Sequence, residues 1–213
     1  PAYAINAERA IGLIAGGQGA MYKAVEGAED DTDLGAKDLK KLNLNEKDTV
    51  LGIAASGRTP YVIGGLEYAN KVGALTISIA CVKDSEIGKH ANIAIEAVVG
   101  PEIVTGSTRM KAGTAQKMIL NMISTGVMIR QGKVFENVMI DVLPTNSKLV
   151  DRAGRIISAV TAATQEQALE ALKKADNDVP LAITMIKTKT DKAAAQKLLE
   201  QYNGNVSEVI KNN

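Results

Sequence analysis

Cysteine occurs once in this sequence, at Cys81, so the chain cannot close a disulfide within itself and fits a reducing compartment. Tryptophan is absent and aromatics make up only 3% of the residues, although hydrophobic residues reach 46%. The core must therefore come from Ala, Val, Ile, Leu and Met, as suits parallel strands covered by helices. Neither sign of charge dominates, with 25 Lys and Arg against 24 Asp and Glu. No stripe of basic residues interleaved with aromatics appears, so nucleic acid is not an expected partner. No uninterrupted apolar segment is long enough to span a bilayer, and the first ten residues lack the basic stretch and apolar run of a secretory signal. A cytoplasmic protein with no membrane partner is expected. The chain begins at Pro1 rather than at Met, close to an apolar run. It reads as a fragment that lacks an N-terminal part.

The 213 residues suffice for one α/β domain and a small appendage. Residues 10–15 form an apolar run closed by Gly16-Gly17, read as a first buried strand. Helical patterns are expected over 19–28 and 34–42, separated by the acidic stretch 29–33. Further strands are expected over 48–55, 74–82 and 94–99. Helices are expected over Pro60–Lys71, briefly over 85–90, and over 107–130, where Met118, Ile119, Met122, Ile123, Val127, Met128 and Ile129 recur at helical spacing. Strand alternating with helix predicts an α/β fold with a doubly wound parallel sheet, whose ligands sit beyond the strand C-termini. After Pro144 the pattern turns wholly helical, over 149–163, 165–174, 179–187, 191–202 and a last turn at 206–210. This tail has no Gly-rich turn and no cluster of metal ligands, which suits packing or association better than chemistry.

The turn Ala55-Ser56-Gly57-Arg58-Thr59-Pro60 leaves a strand and opens a helix. Such a turn aims unpaired backbone N–H groups and the positive helix end at one point. Gly57 permits close approach to a ligand, the Ser56 and Thr59 hydroxyls can bond phosphate oxygens, and Arg58 can supply charge. Neither the P-loop Gly-Lys-Ser/Thr nor the dinucleotide Gly-x-Gly-x-x-Gly is present. Taken alone, the turn reads equally as a helix cap made by Ser56 or Thr59.

Wider stretches of sequence carry a resemblance. Ser56-Gly57-Arg58-Thr59-Pro60 after a buried strand resembles the phosphate loop of the sugar-isomerase (SIS) domain, Ser-x-Ser-Gly-x-Thr, with Ala54 where that pattern has its first Ser. Glu26-Gly27-Ala28-Glu29-Asp30, the run Gly52 to Tyr61, and Val104-Thr105-Gly106-Ser107-Thr108-Arg109-Met110-Lys111-Ala112-Gly113-Thr114 follow one another in order. Together they resemble the bacterial N-acetylmuramic acid 6-phosphate etherases, a branch of the SIS proteins, from about Ile11 to the C-terminus. The resemblance implies a flavodoxin-like SIS domain over 1–145, N-terminally incomplete, and a helical, UBA-like region over 146–213. It implies a carbon–oxygen lyase that splits the lactyl ether of a phosphorylated amino sugar, giving N-acetylglucosamine 6-phosphate and D-lactate in cell-wall amino sugar recycling. No cofactor and no metal are implied, and a homodimer is expected because SIS domains typically pair.

The same resemblance makes Glu29 a catalytic carboxylate and Ser56, Gly57, Arg58 and Thr59 the holders of phosphate. By composition alone Glu29 is part of a solvated acidic loop. Asp30 beside it would orient Glu29 or raise its pKa. The family's other catalytic Glu, a proton donor, lies in a Ser-Glu-Cys-Pro-Pro stretch that this sequence lacks. Ser107, Thr108, Arg109 and Lys111 are expected to touch substrate or a partner subunit, or else to follow an N-cap at Thr105 or Ser107. Glu102, just past the last strand, faces the same edge. His90 has no second ligand to share a metal, and Cys81, inside an apolar strand, is expected to be a buried inert thiol. Two other functions compete with this reading, and the intact Glu26–Asp30 stretch favours the lyase over both. One is a non-catalytic sugar-phosphate sensor, since the glucokinase regulatory protein resembles the same branch. The other, a nicotinamide-dependent oxidoreductase, lacks its glycine fingerprint.

Overall fold

A computed structural model describes residues 7–213, with the side chain of Ala7 excepted. The first six residues of the expected 1–145 domain lie outside the described residues. The chain divides into two compact units, one of residues 11–122 and one of 123–213 with the described residues up to Ala10.

The first unit is built on a parallel sheet of β1 (Thr49–Ile53), β2 (Leu75–Ala80) and β3 (Ile93–Glu96), in that order. In register, Gly52 lies opposite Ser78, and Ser78 opposite Ala94. Small residues thus fill the face on which α2 (Pro60–Lys71) and the short α3 (Glu86–Lys89) pack. A Cβ on Gly52 would stand 2.7 Å from Val62 Cγ1, so α2 lies as close to β1 as a bare backbone permits. Ala54, Leu66, Ala80 and Ile87 form the core there, with Val50, Val62, Ile63 and Ala91 packed around it.

Helix α1 (Thr32–Lys40) is capped by Asp31, whose carboxylate accepts the Leu34 N–H at 3.0 Å. It meets α2 backbone to backbone. A Cβ on Gly64 would fall 1.8 Å from the Thr32 carbonyl oxygen, and one on Gly35 would fall 2.1 Å from that of Tyr61. Only glycine allows this crossing.

Expected elements fail in two places. Residues 10–15 form no strand: Ile11, Leu13 and Ile14 are exposed, and no described strand runs alongside to take their backbone bonds. The helix expected over 19–28 shrinks to a 3₁₀ turn, Gln18–Met21, followed by turns. Gly27, at φ 74°, reverses the chain there and delivers the acidic stretch to α1. The long helix α4 (Lys111–Arg130) starts four residues later than the pattern suggested.

The second unit holds the end of α4, a hairpin of β4 (Val134–Phe135) and β5 (Val138–Met139), and helices α5 (Ser147–Thr161), α6 (Gln165–Lys174), α7 (Val179–Thr188), α8 (Lys192–Gln201) and α9 (Val206–Lys211). Its core joins Phe135 and Ile140 to Ile157, Leu172, Val179, Ile183, Val206 and Val209. Each of these helices begins with a side-chain cap, from Asn146, Thr164, Asp178, Asp191 and Asn205 in turn. Among the described residues, no helix is long and apolar enough to cross a membrane.

Candidate functional site at the carboxyl edge of the sheet

The turn after β1 is held by protein on one side and left open on the other. The Gly57 N–H donates to the Ala54 carbonyl at 2.9 Å, and the Gly57 carbonyl accepts the Ile87 N–H of α3 at 2.9 Å. Gly57 sits at φ 72°, and a Cβ there would strike Ser85 Cβ at 2.7 Å and Val82 Cγ2 at 2.8 Å. Both the backbone angle and the contact demand glycine. The amides of Ser56, Arg58 and Thr59 donate to no acceptor among the described residues.

Thr59 occupies the N-cap position of α2, yet its hydroxyl accepts no capping bond, so the bland capping alternative does not hold for that side chain. The first turn of α2 is satisfied otherwise. Pro60 has no N–H to satisfy, and the Tyr61 N–H donates to the Glu29 carbonyl at 3.0 Å. That bond fixes Glu29 at the start of α2, one residue beyond the turn. The Glu29 side chain is exposed, as are those of Asp30 and Arg58.

Beside the turn lies a cavity of about 240 Å³. Its walls are Ala55 and Ser56, Cys81 and Val82 at the exit of β2, residues 99–102 and 105–108 after β3, and Ala112. Of the residues singled out from sequence, Ser56, Glu102, Ser107 and Thr108 line it. Glu29, Gly57, Arg58, Thr59, Arg109 and Lys111 are not among its lining residues.

Glu102 resolves the start of α4. Its Oε2 accepts the Lys111 N–H at 3.1 Å and its Oε1 the Ala112 N–H at 3.0 Å. The cap is thus Glu102, reaching across nine residues, and not Thr105 or Ser107. A carboxylate has two oxygens to offer the helix end, where a hydroxyl has one. These two backbone bonds, Ala112 first, hold the Glu102 carboxyl below its usual range. The Ser107 hydroxyl accepts the Arg109 N–H at 3.2 Å, and Lys111 Nζ donates to the Pro101 carbonyl at 2.8 Å. Cys81 is buried, and burial, with the Glu102 charge second, pushes its thiol up, as an inert thiol requires.

Sequence reasoning did not find the cavity's Cys81 wall, nor the support behind the turn. Glu96, ending β3, accepts the Ser85 N–H at 2.7 Å, the Ser85 hydroxyl at 2.8 Å and the Asp84 N–H at 2.9 Å. Such bonds join residues eleven or more positions apart, and no local pattern announces them. His90 lies between two carboxylates, with Nδ1 3.2 Å from Glu67 Oε1 and Nε2 3.7 Å from Glu86 Oε1. Among the described residues, no group of three or more His, Cys, Asp or Glu is arranged to hold a metal.

Known proteins are similar in sequence to this chain. A family model described as the glucokinase regulatory protein N-terminal SIS domain matches residues 2–70. An N-acetylmuramic acid 6-phosphate etherase of Lactobacillus acidophilus is 85% identical over 213 residues, which is 100% of this chain and 72% of that protein. The protein of the same name from Lactobacillus johnsonii is 72% identical over 212 residues, 100% of this chain and 71% of its own length. That from Clostridium botulinum is 55% identical over 212 residues, 100% of this chain and 70% of its own.

Proposed function

The chain belongs to the N-acetylmuramic acid 6-phosphate etherase family, and from that premise we propose how its own residues serve the reaction. The activity is that of a carbon–oxygen lyase: N-acetylmuramic acid 6-phosphate and water give N-acetylglucosamine 6-phosphate and D-lactate. In the open-chain sugar the C2 proton is acidic because an aldehyde stands beside it. A base takes that proton, the C3–O bond to lactate breaks with its electron pair leaving on oxygen, and water adds across the resulting double bond.

Glu29 is the base at C2, and the turn Ser56–Thr59 receives the 6-phosphate. The observation that carries this reading is the Tyr61 N–H bond to the Glu29 carbonyl, next to amides of Ser56, Arg58 and Thr59 that no described group engages. Three amides, two hydroxyls and the Arg58 guanidinium suit a phosphate dianion. Ser107 and Thr108 offer hydroxyls to the sugar from the opposite wall. Glu102 keeps anions away from that wall, since its own charge already occupies the end of α4. Residues up to 145 carry the sugar-phosphate chemistry, while 146–213 serve packing or association.

D-lactate release from N-acetylmuramic acid 6-phosphate tests the reading. Glu29→Gln lowers turnover by about 10² to 10⁴ while binding of N-acetylglucosamine 6-phosphate persists, because a general base contributes on that order. Normal turnover by this variant removes Glu29 from the mechanism. Ser56→Ala and Arg58→Ala weaken binding of the phosphorylated sugar about tenfold or more, as the loss of a bond to a charged group does. Unchanged binding in both moves the phosphate elsewhere.

A further inference from the structure

We propose that Glu96 is a positioning residue for the phosphate turn, acting through Ser85 and α3 on the peptide between Gly57 and Arg58. The inference rests on the phosphate assignment above.

Helix α3 is four residues long, Glu86–Lys89, too short to hold its own place. Two things fix it. Ile87 is fully buried against Ala54, Leu66 and Ala80. Ser85, buried as well, accepts the Gly88 N–H at 3.2 Å and is itself gripped by Glu96 at both its N–H and its hydroxyl. Glu96 also holds the Asp84 N–H, where the chain turns through φ 53°. One carboxylate therefore gathers the whole approach to α3.

The effect reaches the turn through a rigid plane. The Ile87 N–H pins the Gly57 carbonyl, and Ser85 Cβ stands where a Gly57 side chain would be. The Gly57 carbonyl and the Arg58 N–H belong to one planar trans peptide and point in opposite directions. Fixing the first aims the second. The Arg58 N–H is one of the three amides left without a described acceptor, so its direction is set by a carboxylate that never touches the ligand. Glu96 is far from the turn in sequence and does not line the cavity.

The test compares binding of N-acetylglucosamine 6-phosphate with that of N-acetylglucosamine by calorimetry. Glu96→Ala weakens binding of the phosphorylated sugar about tenfold and leaves the unphosphorylated one unchanged. Glu96→Gln keeps an oxygen for Ser85 but turns a donor toward the Asp84 N–H, and its loss falls between wild type and Glu96→Ala. A merely structural role would lower both affinities together, which overturns the proposal. Wild-type affinity in folded Glu96→Ala overturns it too, and if that variant does not fold, wild-type affinity in Glu96→Gln does so. Failure of the phosphate assignment itself is seen separately, as unchanged binding in Ser56→Ala and Arg58→Ala.

Discussion

Gly64 and Gly35 each give up a side chain so that α1 and α2 can touch through their backbones. Gly64→Ala places a methyl carbon against the Thr32 carbonyl, and the helices must part. We expect a loss of roughly 1–3 kcal/mol or more in urea unfolding, the range for overpacking a tight contact. The same parting loosens the bond from Tyr61 to Glu29, so lactate release falls with stability. Tyr61 also donates its hydroxyl to Asp38 Oδ2 at 3.0 Å. Burial first, and the Asp38 bond second, push its phenol up to about 12 from 10.0. Tyr61→Phe removes that bond at a cost of about 1 kcal/mol. Ultraviolet titration of the protein, compared with that variant, should show one tyrosine missing from the high end. Asp38 keeps a second partner, Lys41 Nζ at 2.8 Å, so the carboxylate is not stranded.

Elements differ in how plainly the sequence wrote them. Pro60–Lys71 was legible to the residue, because Pro at its first turn and Gly73 past its end bracket an apolar pattern. The helices after residue 146 were legible for a similar reason, each opening on Asn, Thr or Asp. The β4–β5 hairpin was not, since two-residue strands offer no alternation and its turn puts Glu136, a residue without turn preference, at φ 55°. Residues 10–15 misled because an apolar run shows burial potential, not the partner strand that burial needs. In the site, local spacing announced the strand-to-helix turn after β1 but left capping and phosphate binding equal, whereas the Glu102 cap and the Glu96 grip depend on tertiary contacts. The capping box of α6 is a local device, and Thr164→Ala should cost about 1 kcal/mol in thermal unfolding. The tertiary carboxylates answer to pH instead. Glu96 and Glu102 both ionise below their ordinary 4.5, through backbone bonds from Ser85 and from Ala112 first. A depressed folded pKa adds stability above the ordinary value, and that stability is lost as pH falls through the folded one. Melting temperature should therefore drop on acidification below about 4.5, and the penalty of Glu102→Ala should shrink over the same range.

At the scale of the whole molecule, α4 displays Met118 and Met122 one turn apart, 54% and 62% exposed. Apolar side chains repeated along one helix suit a second copy of the chain, and the homodimer that the family resemblance leads us to expect would bury them. Light scattering on a sizing column should report twice 22.4 kDa, and the double variant Met118→Glu, Met122→Glu should report the single mass. A dimer that survives both charges places the contact on another face. Within the first unit, the backbone bond between Tyr61 and Glu29 has an outcome beyond holding a loop. Under the proposed roles, the backbones of proton acceptor and phosphate holder are tied together, which limits the span between them. The molecule then works as a ruler: it selects regioisomers by the distance from phosphorus to the acidic carbon, and a 4-phosphate of the same sugar, whose ring still opens to the aldehyde, would dock with its C2 off the mark.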